Sequence, residues 1–524
     1  MAYLRRISLE TWIVGALALA LFGALVFLKI VLIGPMRGDT AIFVQLTQNI
    51  AATGHPVSQV FASTQGFLDG HYPVMKAAEI AKNPLLPPVP AERNMLDFHL
   101  YLVLFVLGLF AKVVSAWFVV YAAMTASFLA LAVLAYASLR RGGANVVVAG
   151  LFAMLVMAYP AWWEGLVYGQ FYPDVLFVGI GLAFALAFAG DGIKRAPLAV
   201  LAVSCAIINE RAAITAGIFG IVWCALNWKT IADRKFRVGT AIALLLYGTI
   251  AIKLFLVNSD YSGFMPSTQA QLMARLHNPA FDRMIGYFLV ANLPLLALAA
   301  FRWRSGLTAF VLMIPNIVGT IGGAEKVQWS THYHVFYFPF LVWAAVLGLA
   351  RMNELLQDRA KAWGTYAALV ACGCYIALLG PYTAGPFLTP AAIPQSFYFA
   401  FPKLITTYDS RAGLQYRNLA VQLSEAIPTG SVVTTVETGM PFLFEGRTIY
   451  DFPIGVDRAN YAVVQDFVQP DNGHIYGGSV NFYGKAEAQA EDRVVVARMR
   501  KDGYDFEHPV VRIPGLGIAV IARR

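Results

Sequence analysis

The chain is 524 residues long, 58% of them hydrophobic and 13% charged, with a formal net charge of +9. So apolar a composition excludes a soluble globular protein, and the length excludes a single span, which leaves a polytopic membrane protein. The basic excess does not read as nucleic-acid binding, because Lys and Arg stand in pairs at the ends of apolar segments and gather on no one face.

In chain order, Arg5 and Arg6 precede an apolar run from Thr11 to Ile33. The run is about twenty residues long and no small-residue cleavage site follows, so it reads as a retained first helix and not as a signal peptide. The stretch Gly34–Gln45, GPMRGDTAIFVQ, then sets Asp39 just beyond the bilayer. The first loop, 35–97, mixes apolar pairs with Gly, Pro and His and is expected to fold onto the membrane surface. Segment 98–114, built on the run from His99 to Ala111, reads as a re-entrant or interfacial helix, since a further span there would put Arg140 and Arg141 on the side opposite Arg5 and Arg6.

Apolar runs near 116–139, 143–160, 174–190, 196–208, 212–228, 238–257, 284–301, 306–322, 335–350 and 363–381 follow. With the first they predict about eleven transmembrane helices. Threading them in order leaves fifteen Lys and Arg on one side and four in the loops after the first on the other. The excess fixes the N-terminus in the cytoplasm, so Asp39 faces outward. No internal repeat is visible.

After the last span the Pro- and Gly-rich GPYTAGPFLTPAAIP opens a tail of mixed pattern. A helix is expected near Tyr416–Ala426, strands at SVVTTV, RTIYDF, YAVVQDF and GIAVIARR, and a helix in EAQAEDRVVVARMRKDG. The predicted architecture is therefore a polytopic α-helical membrane domain over 1–383, including the loop 35–97 and the interfacial helix 98–114, followed by an extracytoplasmic α/β domain over 384–524. Cys205, Cys224, Cys372 and Cys374 all lie in apolar segments without ligand spacing and read as structural thiols.

Candidate chemistry is concentrated on the outer side. Asp39, one turn beyond a helix end, can hold an acceptor hydroxyl or amine and take its proton; the plainer reading is a helix-cap aspartate with Thr40 and Ala41 beginning a new helix. Asn209-Glu210-Arg211 falls between apolar segments, near membrane depth, where ionisable groups pair and face cavities. Lys326, His332, Tyr333 and His334 stand at the start of a span and suit an anionic head group, and Arg37 and His99 complete the substrate-binding set. Trp162, Trp163, Trp329, Tyr333 and Tyr337 read as interface-belt aromatics before sugar-stacking platforms. His55, His71 and His99 show no metal-ligand spacing, so no metal ligands are assigned; the cofactor is left open, a divalent cation included.

A first span, an acid in a long first outer loop, a helical bundle and an outer α/β tail together resemble the GT-C superfamily of membrane glycosyltransferases. Within it, Asp39-Thr-Ala-Ile-Phe-Val-Gln45 is similar to the D-x-x-I-F-x-Q signature of an uncharacterised multi-pass family regarded as GT-C-like. Further matches are Phe98-His99, in partly inverted order, Phe171-Tyr-Pro-Asp174, Asn209-Glu-Arg211 and the tail from Ile427. Tyr172 stands where the family has His, Arg211 where it has an acid, and Met440 to Leu443 lacks the family's His.

The resemblance implies transfer of a sugar from a polyprenyl-phosphate donor to an envelope glycan, lipid or protein acceptor at the outer face of the cytoplasmic membrane. Asp39 would serve as base with inversion at the anomeric carbon, and Arg211, Lys326, His332 and His334 would receive the leaving phosphate. Partners are then the lipid-linked donor, the acceptor and membrane lipids, with no nucleic acid. The alternatives are a transporter or lipid flippase and a noncatalytic envelope-binding scaffold. Transporters show repeat symmetry and midplane sites, whereas this chain collects its polar residues on one face and adds a folded tail.

Overall fold

A computed structural model describes residues 9–27, 39–62, 92–159, 162, 166, 171–190, 195–255, 268–277, 279–318, 332–355, 359–384, 419, 421–436, 446–469, 473–478 and 492–524. The chain forms two compact units. One comprises Met1–Lys29, Leu96–Val106 and Phe118–Leu404, and the other Ile30–Met95, Leu107–Trp117 and Ile405–Arg524.

The first unit is helical. It holds α1 (Leu9–Phe27), the first four residues of α3 (Val103–Ala111), nearly all of α4 (Ala116–Arg141), then α5 (Val146–Ala158), α6 (Phe177–Ala189), α7 (Arg195–Ile208) and α8 (Glu210–Leu226). There follow α9 (Arg234–Phe255), α10 (Gln269–Leu276), α11 (Pro279–Ala300), α12 (Trp303–Val318), α13 (Phe338–Leu355) and α14 (Arg359–Ala384). By length and hydropathy, four helices among the described residues can cross a membrane: Leu9–Phe27, Ala116–Arg141, Arg234–Leu254 and His334–Leu355. Each remaining apolar run predicted from the sequence also coincides with a helix, several of them shorter than the roughly twenty residues a straight crossing takes. At nine residues α3 is about half that length.

Helices such as α1, α5 and α6 are apolar on nearly all sides, as segments between a protein core and lipid should be. α1 buries only Leu25 and Val26 and leaves Trp12, Leu17 and Leu19 exposed, a surface suited to acyl chains. Its Glu10 is gripped by Arg140 of α4 through Nε and Nη2, at 2.6 and 2.7 Å, with the Tyr136 hydroxyl donating at 2.6 Å. α13 is the buried axis, packed on α6, α11, α12 and α14. Its Gly348 has to be glycine, because a Cβ there would lie 1.9 Å from the Leu298 carbonyl oxygen of α11. Phe219 of α8 stacks on Phe340 at 4.7 Å and meets Trp343 edge-on at 5.0 Å. Arg237, buried at the start of α9, donates to the Phe188 and Gly190 carbonyls, which α6 leaves unpaired at its C-terminal end.

The second unit is α/β. Its first part is α2 (Asp39–Thr53) and the antiparallel pair β1 (Val57–Ser58) and β2 (Arg93–Asn94). Ile42, Phe43, Leu46 and Ile50 give α2 a buried face, and Ile50 packs where α3 carries Gly108. Gln45 is buried, and its Oε1 accepts from Ser58 Oγ at 2.5 Å and Val60 N at 3.1 Å, fixing the return of the chain across α2.

The second part is a six-stranded sheet of β3 (Val432–Thr435), β4 (Thr448–Asp451), β5 (Tyr461–Gln469), β6 (Gly473–Gly477), β7 (Val511–Ile513) and β8 (Ile518–Ala522). The order is β4-β3-β5-β8-β7, with β6 paired to the far half of β5. β3 runs parallel to β4 and β5, while β8 and β6 lie antiparallel to β5. The four predicted strands are present, and the sheet adds β6 and β7. Of the helical pieces expected in the tail, residues 421–426 and α15 (Ala497–Lys501) are described as α-helix. Ala62, at the end of the first-loop segment, packs against Tyr450 and Ile454 of the sheet domain.

Candidate active site

A buried polar network lies in the helical unit at the N-terminal ends of α6 and α8. Asn209 caps α8 in extended conformation, its Oδ1 accepting from Ala212 N at 2.7 Å. The other end of the same amide donates to Asp174, which sits fully buried in the 3-10 turn Pro173–Leu176 that opens α6. Tyr101 also hydrogen-bonds Asp174. A carboxylate is expensive to bury unless donors converge on it, and the helix N-terminus adds a favourable dipole.

Glu210, the first residue of α8, is the second buried acid. Its Oε1 is 2.9 Å from His99 Nδ1 and its Oε2 accepts from Leu100 N at 3.2 Å. Burial pushes the His99 pKa below its ordinary value against the pull of Glu210, so the ring is neutral at pH 7 and gives its Nδ1 hydrogen to the carboxylate. Phe98 and Tyr101 bracket the ring at 4.6 and 5.0 Å. Arg211, half-buried, lies within electrostatic reach of both Asp174 and His99. The network thus joins two acidic side chains, an imidazole and a guanidinium.

The turn His332–Phe336, which leads into α13, touches the turn that carries Asp174. His334 is buried there; the Tyr337 hydroxyl is 3.3 Å from its Nδ1, and Asn292 of α11 donates to that hydroxyl at 3.3 Å. Helix N-termini of α6, α8 and α13 therefore sit at one end of the bundle, an environment that favours negative charge.

Of the residues predicted from sequence, His99, Glu210 and Arg211 are brought into one network, and His334 lies in an adjoining turn. Asp39 is the first residue of α2, so Thr40 and Ala41 do begin a helix; its side chain is outside the described residues. The backbones of His332 and Tyr333 lie in the turn before α13, their side chains outside the described residues, as are Arg37 and Lys326 altogether. Asp174 and Tyr101 were not selected from sequence. Asp174 could have been, since it closes the Phe-Tyr-Pro-Asp match where the resembled family has Glu. No group of three or more His, Cys, Asp or Glu able to hold a metal occurs among the described residues.

Fold and hydropathy together define a polytopic α-helical membrane protein with a C-terminal sheet domain. No family model and no curated protein sequence matches the chain. Among solved structures it is similar to ArnT from Cupriavidus metallidurans in the apo state, with a TM-score of 0.52 at 14% identity over 98% of both chains. It is likewise similar to that ArnT bound to undecaprenyl phosphate, with a TM-score of 0.51 at 13% identity over 99% of both chains. An Archaeoglobus fulgidus oligosaccharyltransferase aligns at a TM-score of 0.34 and 11% identity, over 90% of this chain and 74% of the other, too remote to argue from. At such identities the likeness establishes the fold and leaves the chemistry to the residues.

Proposed function

We propose that the chain is a membrane glycosyltransferase that moves a sugar from a polyprenyl-phosphate donor to an envelope glycan, lipid or protein acceptor at the outer face of the cytoplasmic membrane. The observation that carries this reading is the end-to-end likeness to ArnT, which has been crystallised with undecaprenyl phosphate. In the proposed reaction Asp39 takes the proton of the acceptor as its oxygen or nitrogen attacks the anomeric carbon. The bond from that carbon to the donor phosphate breaks with inversion, and its electron pair leaves with the phosphate. Arg211, with Lys326, His332 and His334, receives the developing charge.

Glu210, with both carboxylate oxygens occupied by His99 and Leu100, serves this reading best as the group that fixes the 98–101 segment. Asp174 and Asn209 hold the start of α8, and so the backbone of Arg211. The packing of Ala62 on Tyr450 and Ile454 supports an α/β domain on the same side of the membrane as the first loop, hence extracytoplasmic with a cytoplasmic N-terminus.

The test is transfer from a polyprenyl-phosphate sugar by purified wild type and by Asp39→Asn, with lipid-linked sugars and envelope glycans compared in cells with and without the gene. Asn keeps the shape and loses the basicity, so transfer should vanish while folding persists. Activity within a few-fold of wild type would overturn the base assignment, and unchanged lipid-linked sugars and glycans would overturn the enzyme class.

A further inference from the structure

The C-terminal sheet carries a second polar constellation that the transfer reaction does not use. β5 and β6 pair with Asp466 opposite Tyr476 and Val468 opposite His474, and residues paired directly across two strands share one face. His474 Nδ1 lies 2.6 Å from Asp466 Oδ1. Arg512, two strands away on β7, reaches the same group, with Nε 3.6 Å from Asp466 Oδ2 and Nη2 donating to the Tyr476 hydroxyl at 2.8 Å.

Exposure divides these residues by role. The Asp466 side chain is 6% exposed, whereas His474 and Arg512 are 33% and 35% exposed. Among the described residues Asp466 is the one buried acidic or basic side chain in the sheet domain. An apolar residue would pack such a sheet without the penalty of a buried charge. What Asp466 adds is order: it holds an imidazole and a guanidinium side by side and leaves each with hydrogen-bonding groups to offer, Nε2 on the histidine and further N–H groups on the arginine.

A third cation, Arg500, comes within electrostatic reach of Tyr476. Arg500 lies 5.2 Å over the Phe506 ring, and Phe506 packs on Tyr476 at 4.9 Å. Two of the described acids nearby are engaged elsewhere: Asp492 accepts from Tyr476 N, and Asp505 is bound by His508 and Arg524. The Arg512 guanidinium and His474 imidazole held by a single buried carboxylate, with Arg500 in electrostatic reach of Tyr476, suit a multiply charged oxyanion, and the planar guanidinium fork matches phosphate geometry.

We propose that His474, Arg500 and Arg512, ordered by Asp466 and Tyr476, form a phosphate-binding site on the C-terminal domain. The one-third exposure of its donors fits a phosphate carried on a larger molecule and bound at the surface, either a soluble phosphate ester or a phosphate-bearing lipid head group. The site rests on this geometry alone and stands whether or not the chain transfers a sugar.

The experiment uses the full-length protein in lipid nanodiscs with labelled histidine, observed by NMR at fixed pH and ionic strength. His474→Gln identifies the His474 ring signals. Titrants are inorganic phosphate, a sugar monophosphate, and nanodiscs in which phosphatidic acid replaces phosphatidylcholine, with chloride as the control. A saturable shift of the His474 signals is expected, weakened about tenfold by Arg512→Gln through loss of one charge-assisted contact. Response to the soluble esters alone assigns a soluble ligand, and response to phosphatidic acid alone assigns a head group; either supports the site. Because Asp466→Asn can disturb the sheet, Arg500→Gln, on an exposed side chain, serves as the second variant and should also weaken the response. No saturable shift with any titrant, or an undiminished shift in both arginine variants, overturns the proposal.

Discussion

Glu210 offers the sharpest test of whether the buried network is structural support or a substrate ligand. Its two oxygens serve two buried donors, His99 Nδ1–H and Leu100 N–H. Glu210→Ala removes both acceptors at once. Each stranded donor costs about 1–3 kcal/mol, and deletion of one member of a buried pair commonly costs about 3–5 kcal/mol. A loss of roughly 3–5 kcal/mol is therefore expected.

Glu210→Gln is milder, because the amide oxygen can keep Leu100 N and the amide NH₂ can donate to His99 Nδ1 once the ring changes tautomer; about 1–2 kcal/mol is expected. Thermal unfolding of the purified protein should rank wild type above Gln and Gln above Ala. Hydrogen exchange at the Leu100 amide should rise in the Ala variant alone. His99→Ala combined with Glu210→Ala should fall short of additivity, since the two residues share one contact. The reasoning fails if Glu210→Ala melts with wild type, or if Glu210→Gln keeps its melting temperature while donor affinity collapses, which would make Glu210 a ligand in its own right.

The helices were legible because membrane burial makes composition itself the signal. The apolar stretch of α4 ends in Arg140 and Arg141, and that pairing marks the end of the helix. Strands with several consecutive apolar or β-branched residues, such as Tyr461–Gln469, were equally readable. β6 was not: GHIYG has a glycine at each end and no alternation, and it is a strand because the far half of β5 offers an edge in register. β7 is three residues long and has the same dependence on its neighbour. The site divides along similar lines. Single acids and cations could be named, but their partners could not, since His99 and Glu210 are 111 positions apart and Asp174 and Asn209 are 35 apart. Such pairs are set by helix packing, which leaves no local pattern in the chain.

Two further outcomes separate local architecture from chemistry. Gln45→Leu should lower stability by about 2–4 kcal/mol, since it removes the acceptor shared by Ser58 Oγ and Val60 N, and should weaken protection of the Val60 amide in hydrogen exchange. Unchanged protection there would show that Gln45 does not fix the first-loop segment to α2. The last prediction concerns Arg211. If it receives the donor phosphate, Arg211→Ala removes a charge-assisted contact of roughly 1.5–3 kcal/mol, a loss of about tenfold or more in donor-limited turnover. Arg211→Lys should recover only part of that, because an ammonium cannot reproduce the guanidinium fork. The rival account makes Arg211 a counter-charge for Asp174 and its neighbours, which lowers the melting temperature and leaves donor dependence alone. Donor titrations and melting curves on the same two variants decide between them: a destabilised protein with wild-type donor affinity would make the guanidinium part of the scaffold, and a stable protein with weakened donor use would make it part of the site.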